Sequence, residues 1–385
     1  MKITVVGRGN AGCLTALHYA YHTRHRKDIS VELLYDPNIP PEKVGQGTLL
    51  EPPKLLWSAL GINWYDNPIN ATPKFGILYE DWGKKNKKSF ASPFPLYSVA
   101  LHYNPVKLQE TILKSKYFKV KKKHIDNYDQ IDSDYIFDCR GRPSKNWKDY
   151  TQLINPINAV LLVQDSKRDP NVNWTRAVAT PDGWCFVIPN QTNTTSYGYL
   201  YNHRITSEDK AEKNFKRLFN LKSTDQFKFK QYVAKKPVID NRIILGGNRL
   251  FFLEPLEATA IHAYLKWARM TWDWIIDKKV TPEFITNEFY TYVNQIQNFI
   301  LWHYSYGSKY NTPFWRDAKK LKIKDPLFNK TLKEAKLSPM IELLDDQMIG
   351  TTEIYGQWHK WNFKCWYNGM KNTKEPPQKS PAFNI

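Results

Sequence analysis

The alternation of apolar and polar positions sets out the elements of the chain before any chemistry is considered. Residues 3–6, Ile-Thr-Val-Val, are a β-branched run of the kind that forms a fully buried strand. Residues 13–22 contain no Gly or Pro and read as a helix, and residues 31–35 as a second strand that ends at Asp36. After a turn marked by Pro37, Pro40 and Pro41, residues 55–60 read as a short helix stopped by Gly61, and residues 71–82 as one strand. The aromatic-rich stretch 183–189 reads as a core strand ending in Pro. From Tyr264 onward the pattern is helical and aromatic, with Trp267, Trp272 and Trp274 followed by apolar residues at helical spacing over 290–304. Such a stripe is more often core than site. The Lys- and Pro-rich tail, 371–385, is expected to be loosely ordered.

The first chemistry lies where the first strand meets the first helix. Gly7, Gly9 and Gly12 form G-x-G-x-x-G immediately after the strand, with Ala11 inside the motif. The first glycine permits the tight turn, the second lets backbone approach a pyrophosphate, and the third lets helix pack on strand while the helix N-terminus faces the anion. Asp36 stands about where an acid meets a ribose hydroxyl in such folds. Strand, turn, helix, second strand and acid in this order predict binding of FAD or NAD.

Composition narrows the class. A chain of 385 residues, 42% hydrophobic and 15% aromatic, can hold two or three domains' worth of core. It has no apolar run long enough to span a bilayer and no export signal at its start, so no membrane is expected and a cytoplasmic location is the default. Cys13, Cys139, Cys185 and Cys365 lack C-x-x-C pairing or His partners at metal spacing, which predicts buried reduced thiols and no metal. The formal charge of +19 raises the question of nucleic acid. Its runs, Lys84–Lys88 around Asn86, Lys121–Lys123 and the scatter over 309–336, match no nucleic-acid motif and read as solvated loops. The charge would still draw an anionic flavin or an acidic partner. Whether chains associate as a homo-oligomer stays open.

Several further stretches carry a resemblance in order along residues 1–370. Val44-Gly45-Gln46-Gly47-Thr48 and the lysine Lys74, leading a strand that ends in Trp82, resemble the flavin-dependent halogenases of the tryptophan-halogenase type. Taken alone, Lys74 would be a surface residue. The segment Ala100 to Asn104, containing His102, resembles the family's flavin segment, and Asp134 to Gly141 its strand with Asp-x-x-Gly, placing Asp138 and Gly141 beside the cofactor. By its residues alone Asp138 is a turn-forming acid. Gly183-Trp184-Cys185-Phe186-Val187-Ile188-Pro189 is similar to the family's W-x-W-x-I-P signature, with Phe186 for the second Trp. Val238 to Gly247 and then Glu254-Pro255-Leu256-Glu257-Ala258-Thr259-Ala260 resemble its strand, flavin-contacting loop and E-P-L-E-S-T-G segment. Thr312-Pro313-Phe314-Trp315 after His303-Tyr304 is close to another family pair.

The resemblance implies an α/β fold, α+β in part: an FAD-binding Rossmann-like domain with inserted β-sheet over 1–290, a helical aromatic-rich substrate region over 291–370 and the tail. It implies FAD, used as FADH2 and supplied by a separate NAD(P)H-dependent flavin reductase, with O2 and chloride, bromide or iodide. Flavin contacts are implied at Gly7, Gly9, Ala11, Gly12, Asp36, Val44, Gly45, His102, Asp138, Gly141, Gly246, Gly247 and Leu253. Halide would be held by the amides of Thr259 and Ala260. A flavin hydroperoxide would oxidise it, Lys74 would hold the hypohalous acid or carry it as a haloamine, and Glu257 would polarise that species or take the arenium proton. Ser92, Phe94, Pro189, Trp358, Trp361 and Phe363 would line the pocket of a small indole- or phenol-type aromatic.

The departures from the family are specific. Ala258 stands for its Ser, Ala260 for its Gly and Ser92 for a pocket His, and the chain stops just after the last aromatic block. These favour halogenase chemistry over tryptophan as substrate and predict easier use of bromide and iodide; the length is similar to the short, phage-encoded branch. Two other classes stay in view: an FAD-dependent aromatic monooxygenase, and a non-catalytic basic flavoprotein that binds nucleic acid. Gly246-Gly247 is not a second nucleotide fingerprint, which favours the halogenase over the monooxygenase.

Overall fold

The computed structural model describes residues 1–41, 46–63, 66–83, 89–94, 98–144, 146–165, 169, 173–189, 194–340, 342–343 and 353–371. Val44, Gly45, the Lys84–Lys88 run and residues 372–385 of the tail lie outside them. The chain divides into two units, each assembled from three stretches. Unit 1 is Met1–Ala71, Tyr103–Leu153 and Lys230–Tyr290; unit 2 is Thr72–His102, Ile154–Phe229 and Thr291–Ile385. The inserted sheet segments therefore share a unit with the chain after Tyr290.

In unit 1 the strand Lys2–Val6 lies inside a six-stranded sheet, ordered Val238–Ile239, Ile243–Leu245, Tyr135–Asp138, Lys2–Val6, Ser30–Tyr35, Lys119–Lys122. All but the first of these strands run parallel. A strand paired on both edges and covered on both faces reads as a near-continuous apolar run, and Ile3, Val5 and Val6 are buried accordingly. Lys2–Val6 leads into the helix Asn10–His22, which packs on Thr259–Ile275 and Pro105–Leu113. That helix is buried on every side from Asn10 to Ala20, the signature of an interior helix. The chain leaves Lys2–Val6 toward Ser30–Tyr35 on one side, while Tyr135–Asp138 leads to Ile243–Leu245 on the other. The carboxyl ends of these two adjacent strands thus form the sheet's switch point, where open α/β sheets leave a crevice for ligands.

Unit 2 is built on a seven-stranded sheet ordered Asp225–Lys228, Ala159–Asp165, Thr195–Tyr201, Gly183–Pro189, Trp174–Thr180, Gly76–Glu80, Ser89–Pro93. All its pairings are antiparallel except that between Gly76–Glu80 and Trp174–Thr180. The helix Glu208–Phe219 lays Ala211 and Phe215 on Leu161, Cys185 and Tyr199. A separate aromatic body surrounds His303: Tyr79 stacks on Phe90 with centroids 5.0 Å apart, and Trp366 lies 4.0 Å from the His303 ring.

Four expectations are corrected. Residues 71–82 form two strands, Thr72–Lys74 and Gly76–Glu80, because the chain changes partners at Phe75: the first pairs with Ala100–Tyr103, the second joins the seven-stranded sheet. Gly76 makes the switch at φ +155°, where a Cβ would stand 2.3 Å from the Ser92 carbonyl oxygen. The helix read at 55–60 begins at Glu51, since Pro52 and Pro53 fit a first turn whose amides have no intrahelical acceptor. Residues 238–245 form a hairpin, Val238–Ile239 with Ile243–Leu245, turned by Asp240 and Asn241 at φ 51° and 50°. Lys121–Lys122 belong to the edge strand Lys119–Lys122 and not to a loop; Lys121 pairs with Glu32 at 2.7 Å.

Candidate functional site

The glycine turn of unit 1 separates two roles. Gly7 has φ +114° and a Cβ there would lie 2.4 Å from the Cys139 carbonyl oxygen; at Gly12 it would lie 1.9 Å from that of Gly7. These two are glycines because the fold leaves no room. Gly9 differs: its φ of −62° suits any residue, and a Cβ would meet nothing within 4 Å. Gly9 caps the helix Asn10–His22, and among the described residues no capping side chain bonds the helix's first amides. A bare, positively polarised helix start beside open space is what a pyrophosphate requires, so these residues fit the adenine dinucleotide cofactor that the motif implies. Behind the turn, Asn10 donates to Gln46 at 2.8 Å and to the Tyr103 hydroxyl at 3.1 Å, while Gln109 donates to Asn10 at 3.2 Å.

The neighbouring strand ends converge on this turn. The Cys139 amide donates to the Val6 carbonyl at 2.8 Å, and the Gly246 amide to that of Asp138 at 2.9 Å. A Cβ on Gly246 would strike the Cys139 sulfur at 2.6 Å, and one on Gly247, at φ +57°, would strike the Ala11 methyl at 2.4 Å. Gly141, at φ +87°, faces open space. Gly7, Ala11, Gly12, Gly246 and Gly247 thus lie together at the switch point, and Leu253 is buried in the same unit. Burial pushes the Cys13 thiol up to about 12, which makes it an inert packing group.

The two acids are partnered within the protein. Asp138 is fully buried; Arg140 binds both its oxygens at 2.9 Å, the Tyr128 hydroxyl donates at 2.6 Å, and Arg249 lies at 3.3 Å. Burial pushes its carboxyl up, but these contacts outweigh that and hold it below the usual carboxylate range. Asp36 accepts from the Asn38 amide at 2.8 Å and meets His124 at 2.6 Å, contacts that also lower its pKa. The sequence reading missed Arg8, inside the glycine motif: its guanidinium donates to the Ile39 carbonyl at 2.8 Å and lies 4.9 Å over the Tyr35 ring. Its position between Gly7 and Gly9 was the available signal for a cation beside the turn.

Residues 254–260 form the second feature of unit 1. Glu257 and Ala258 have φ 71° and 54°, a left-handed pair that non-glycine residues adopt at a cost, and the helix Thr259–Ile275 starts directly after them. Glu257 is nearly buried and Thr259 wholly so. Among the described residues the Thr259 hydroxyl has no hydrogen-bond partner, and no side chain caps this helix. The arrangement can hold a small anion with backbone amides and one hydroxyl.

Unit 2 carries the remaining candidates. Lys74 is 0% exposed, on the three-residue strand Thr72–Lys74, and its Nζ lies 5.5 Å from the Phe94 ring centroid. Ser92, on Ser89–Pro93, is buried opposite Ile77. His102 is buried, with Nε2 2.8 Å from the Thr175 hydroxyl, and belongs to this unit. Pro189 ends a wholly buried strand. Trp358 stacks on Phe299 at 3.9 Å, Trp361 donates to the Pro93 carbonyl at 3.2 Å, and Phe363 stacks on Trp302 at 5.6 Å. Those three aromatics are core-packed on these contacts. Trp315 donates to the Thr180 carbonyl at 2.7 Å and Thr312 caps its helix, which accounts structurally for the Thr-Pro-Phe-Trp stretch.

The family description "Tryptophan halogenase" matches residues 2–129 and 119–378. The chain belongs to the tryptophan halogenase family. Tryptophan 7-halogenase RebH of Lentzea aerocolonigenes is 23% identical over 270 residues, 64% of this chain and 50% of that protein. Tryptophan 6-halogenase ThaL of Streptomyces albogriseolus is 25% identical over 46% of this chain and 34% of its own length. The matches thus span half or less of these relatives. The structure of a tryptophan halogenase from Shewanella frigidimarina superposes with TM-score 0.77 at 18% identity, covering 98% of this chain and 90% of that one. BrvH, a flavin-dependent halogenase from Brevundimonas, gives 0.76 at 17%, covering 96% and 90%. At such identities the likeness is one of fold, and the tryptophan halogenase fold, with its Rossmann-like parallel sheet, accounts for 96–98% of this chain.

Proposed function

We propose that this chain is a flavin-dependent halogenase that oxidises halide and transfers the halogen to an electron-rich aromatic of the indole or phenol type. The observation that carries the reading is Lys74. Lysine is almost never fully buried, and here it is completely shielded on a short strand beside Phe94 and within a chain of the tryptophan halogenase family. Reduced FAD, delivered by a separate flavin reductase and bound at the glycine turn, would supply with O2 the two-electron oxidising power. The chain's own residues do the rest. The first amides of Thr259–Ile275 and the Thr259 hydroxyl hold the halide. The Lys74 ammonium donates hydrogen bonds to the hypohalous acid or, as a desolvated amine, takes the halogen from its oxygen as an N–halogen bond, the amine proton leaving with the oxygen as water. Glu257 accepts the proton lost by the arene.

Relatives named tryptophan 6- and 7-halogenases support an aromatic substrate, and Ala258, Ala260 and Ser92 support one other than free tryptophan. Fewer polar anchors mean weaker discrimination, because strong discrimination comes from buried groups that the wrong ligand leaves unpaired. The test is incubation with FAD, a flavin reductase, NADH, oxygen and chloride, bromide or iodide over indoles and phenols, read by mass spectrometry. The expected product is a brominated or iodinated indole or phenol in preference to chlorotryptophan. Hydroxylated products without halogen would instead identify an aromatic monooxygenase.

A further inference from the structure

The helix that begins at the glycine turn ends at a second feature with no part in the proposed reaction. Its last turns, with Glu51–Leu60 and Thr259–Ile275 of the same unit, line a pocket of about 370 Å³. Ligand sites run from about 300 to 1,000 Å³, so this one suits a small group. Three cations line it, Arg24, Lys54 and Arg269, together with His18 and His22. One carboxylate partly offsets them: Glu51 takes Lys54 at 3.0 Å and also Arg269. Arg24 is fixed in place, donating to the Tyr21 carbonyl at 2.8 Å with its guanidinium 4.1 Å over the Tyr21 ring. A guanidinium has five N–H groups, so both arginines keep donors for a ligand.

The second observation is His18. It is 7% exposed and lines the pocket, and its Nε2 has no hydrogen-bond partner among the described residues. Buried polar atoms in native structures nearly always find a partner in protein, water or ligand, so this ring nitrogen leaves one hydrogen bond to be made. His18 and His22 sit one helical turn apart with ring centroids at 4.7 Å, a spacing that suits a metal. The three surrounding cations oppose that, and among the described residues no group of three His, Cys, Asp or Glu side chains is placed to hold one. Burial, and then the charges of His22 and Arg269, lower the His18 pKa to about 3, so it is a neutral hydrogen-bonding group at working pH. The negative end of the helix dipole also works against an anion here, and the cations must outweigh it.

We propose that this pocket binds a phosphate group, free or as a monoester, about 20 Å from the glycine turn along the same helix. Arg24 and Lys54 supply charge, and the neutral His18 ring forms part of the wall against which the group sits. Trp57, 59% exposed on the same helix as Lys54, offers a face on which the base of a nucleotide monoester stacks.

The test is calorimetric titration of the full chain with inorganic phosphate and with adenosine 5′-monophosphate at fixed ionic strength, alongside nitrogen NMR of the histidines. Phosphate should bind and shift the His18 ring signals. Arg24→Ala and Lys54→Ala change exposed side chains and should each weaken binding by about tenfold, the loss of one charge-assisted hydrogen bond. Gly9→Val should keep the shift of the His18 signals on adding phosphate. Tighter binding of the nucleotide than of phosphate, lost in Trp57→Ala, identifies the monoester as the source; equal binding identifies free phosphate. The proposal is overturned if phosphate gives neither heat nor His18 shift, if both alanine variants bind unchanged, or if Gly9→Val abolishes the signal and so places the phosphate at the glycine turn.

Discussion

Five residues show how far a side chain's identity predicts its environment. Gly7, Gly9 and Gly12 were legible as a motif, but only coordinates separate the two that the fold demands from Gly9, which it does not. Gly9→Val should therefore leave the circular dichroism spectrum and melting temperature near wild type while abolishing FAD binding, because the branched side chain fills space the pyrophosphate needs. Unchanged flavin affinity by fluorescence titration would remove the cofactor assignment. Lys74 was legible only through its resemblance, since composition makes a lone lysine a surface residue; its burial comes from pairings made with residues 100–102, which no local pattern announces. His18 was not legible at all. Its pKa falls from 6.5 to about 3 on folding, so between those values the unfolded chain binds the extra proton and stability declines as pH falls. His18→Gln cannot titrate there, and its melting temperature should drop less than that of the wild type between pH 6.5 and about 3. Parallel curves would show that His18 is not held neutral.

At the scale of elements, strands with buried apolar runs were readable and changes of partner were not. Lys2–Val6, Ser30–Tyr35 and Gly183–Pro189 match their sequence readings to within a residue. The break at Phe75 and the hairpin at Asp240-Asn241 depend on which neighbour each segment meets, information that lies more than twenty residues away for the first and in tolerance of positive φ for the second. The lysine-rich strand Lys119–Lys122 has its own logic: it is a sheet edge, and charged edges discourage pairing with other chains. The start of Thr259–Ile275 holds the clearest local conflict, because Ala258 takes a left-handed φ of 54° that its Cβ disfavours. Ala258→Gly should stabilise the chain by about 0.5–1 kcal/mol, relief of that strain less the added entropy of glycine in the unfolded state. Denaturant melts check this, and a destabilised variant would mean that the methyl contributes packing that outweighs its backbone cost.

For the whole molecule, the candidate residues divide between the units: the glycine turn, Glu257 and the Thr259 helix start belong to unit 1, and Lys74, Ser92 and Phe94 to unit 2. That division was not legible, because each unit draws on three separate stretches and the eye follows a chain in order. The central claim, proposed above, is that Lys74 carries the halogen to the arene in a step separate from flavin reoxidation. A net charge of +19 would draw an anionic flavin, an attraction that salt should weaken. The most direct test compares wild type with Lys74→Ala, supplied with FAD, a flavin reductase, NADH, oxygen and bromide, following flavin reoxidation and halogenated product in the same sample. The account predicts that Lys74→Ala reoxidises flavin at about the wild-type rate and yields no brominated arene, and that Lys74→Arg fails in the same way, since a guanidinium is bulkier and forms no equivalent adduct. Brominated product from Lys74→Ala at the wild-type yield would contradict it.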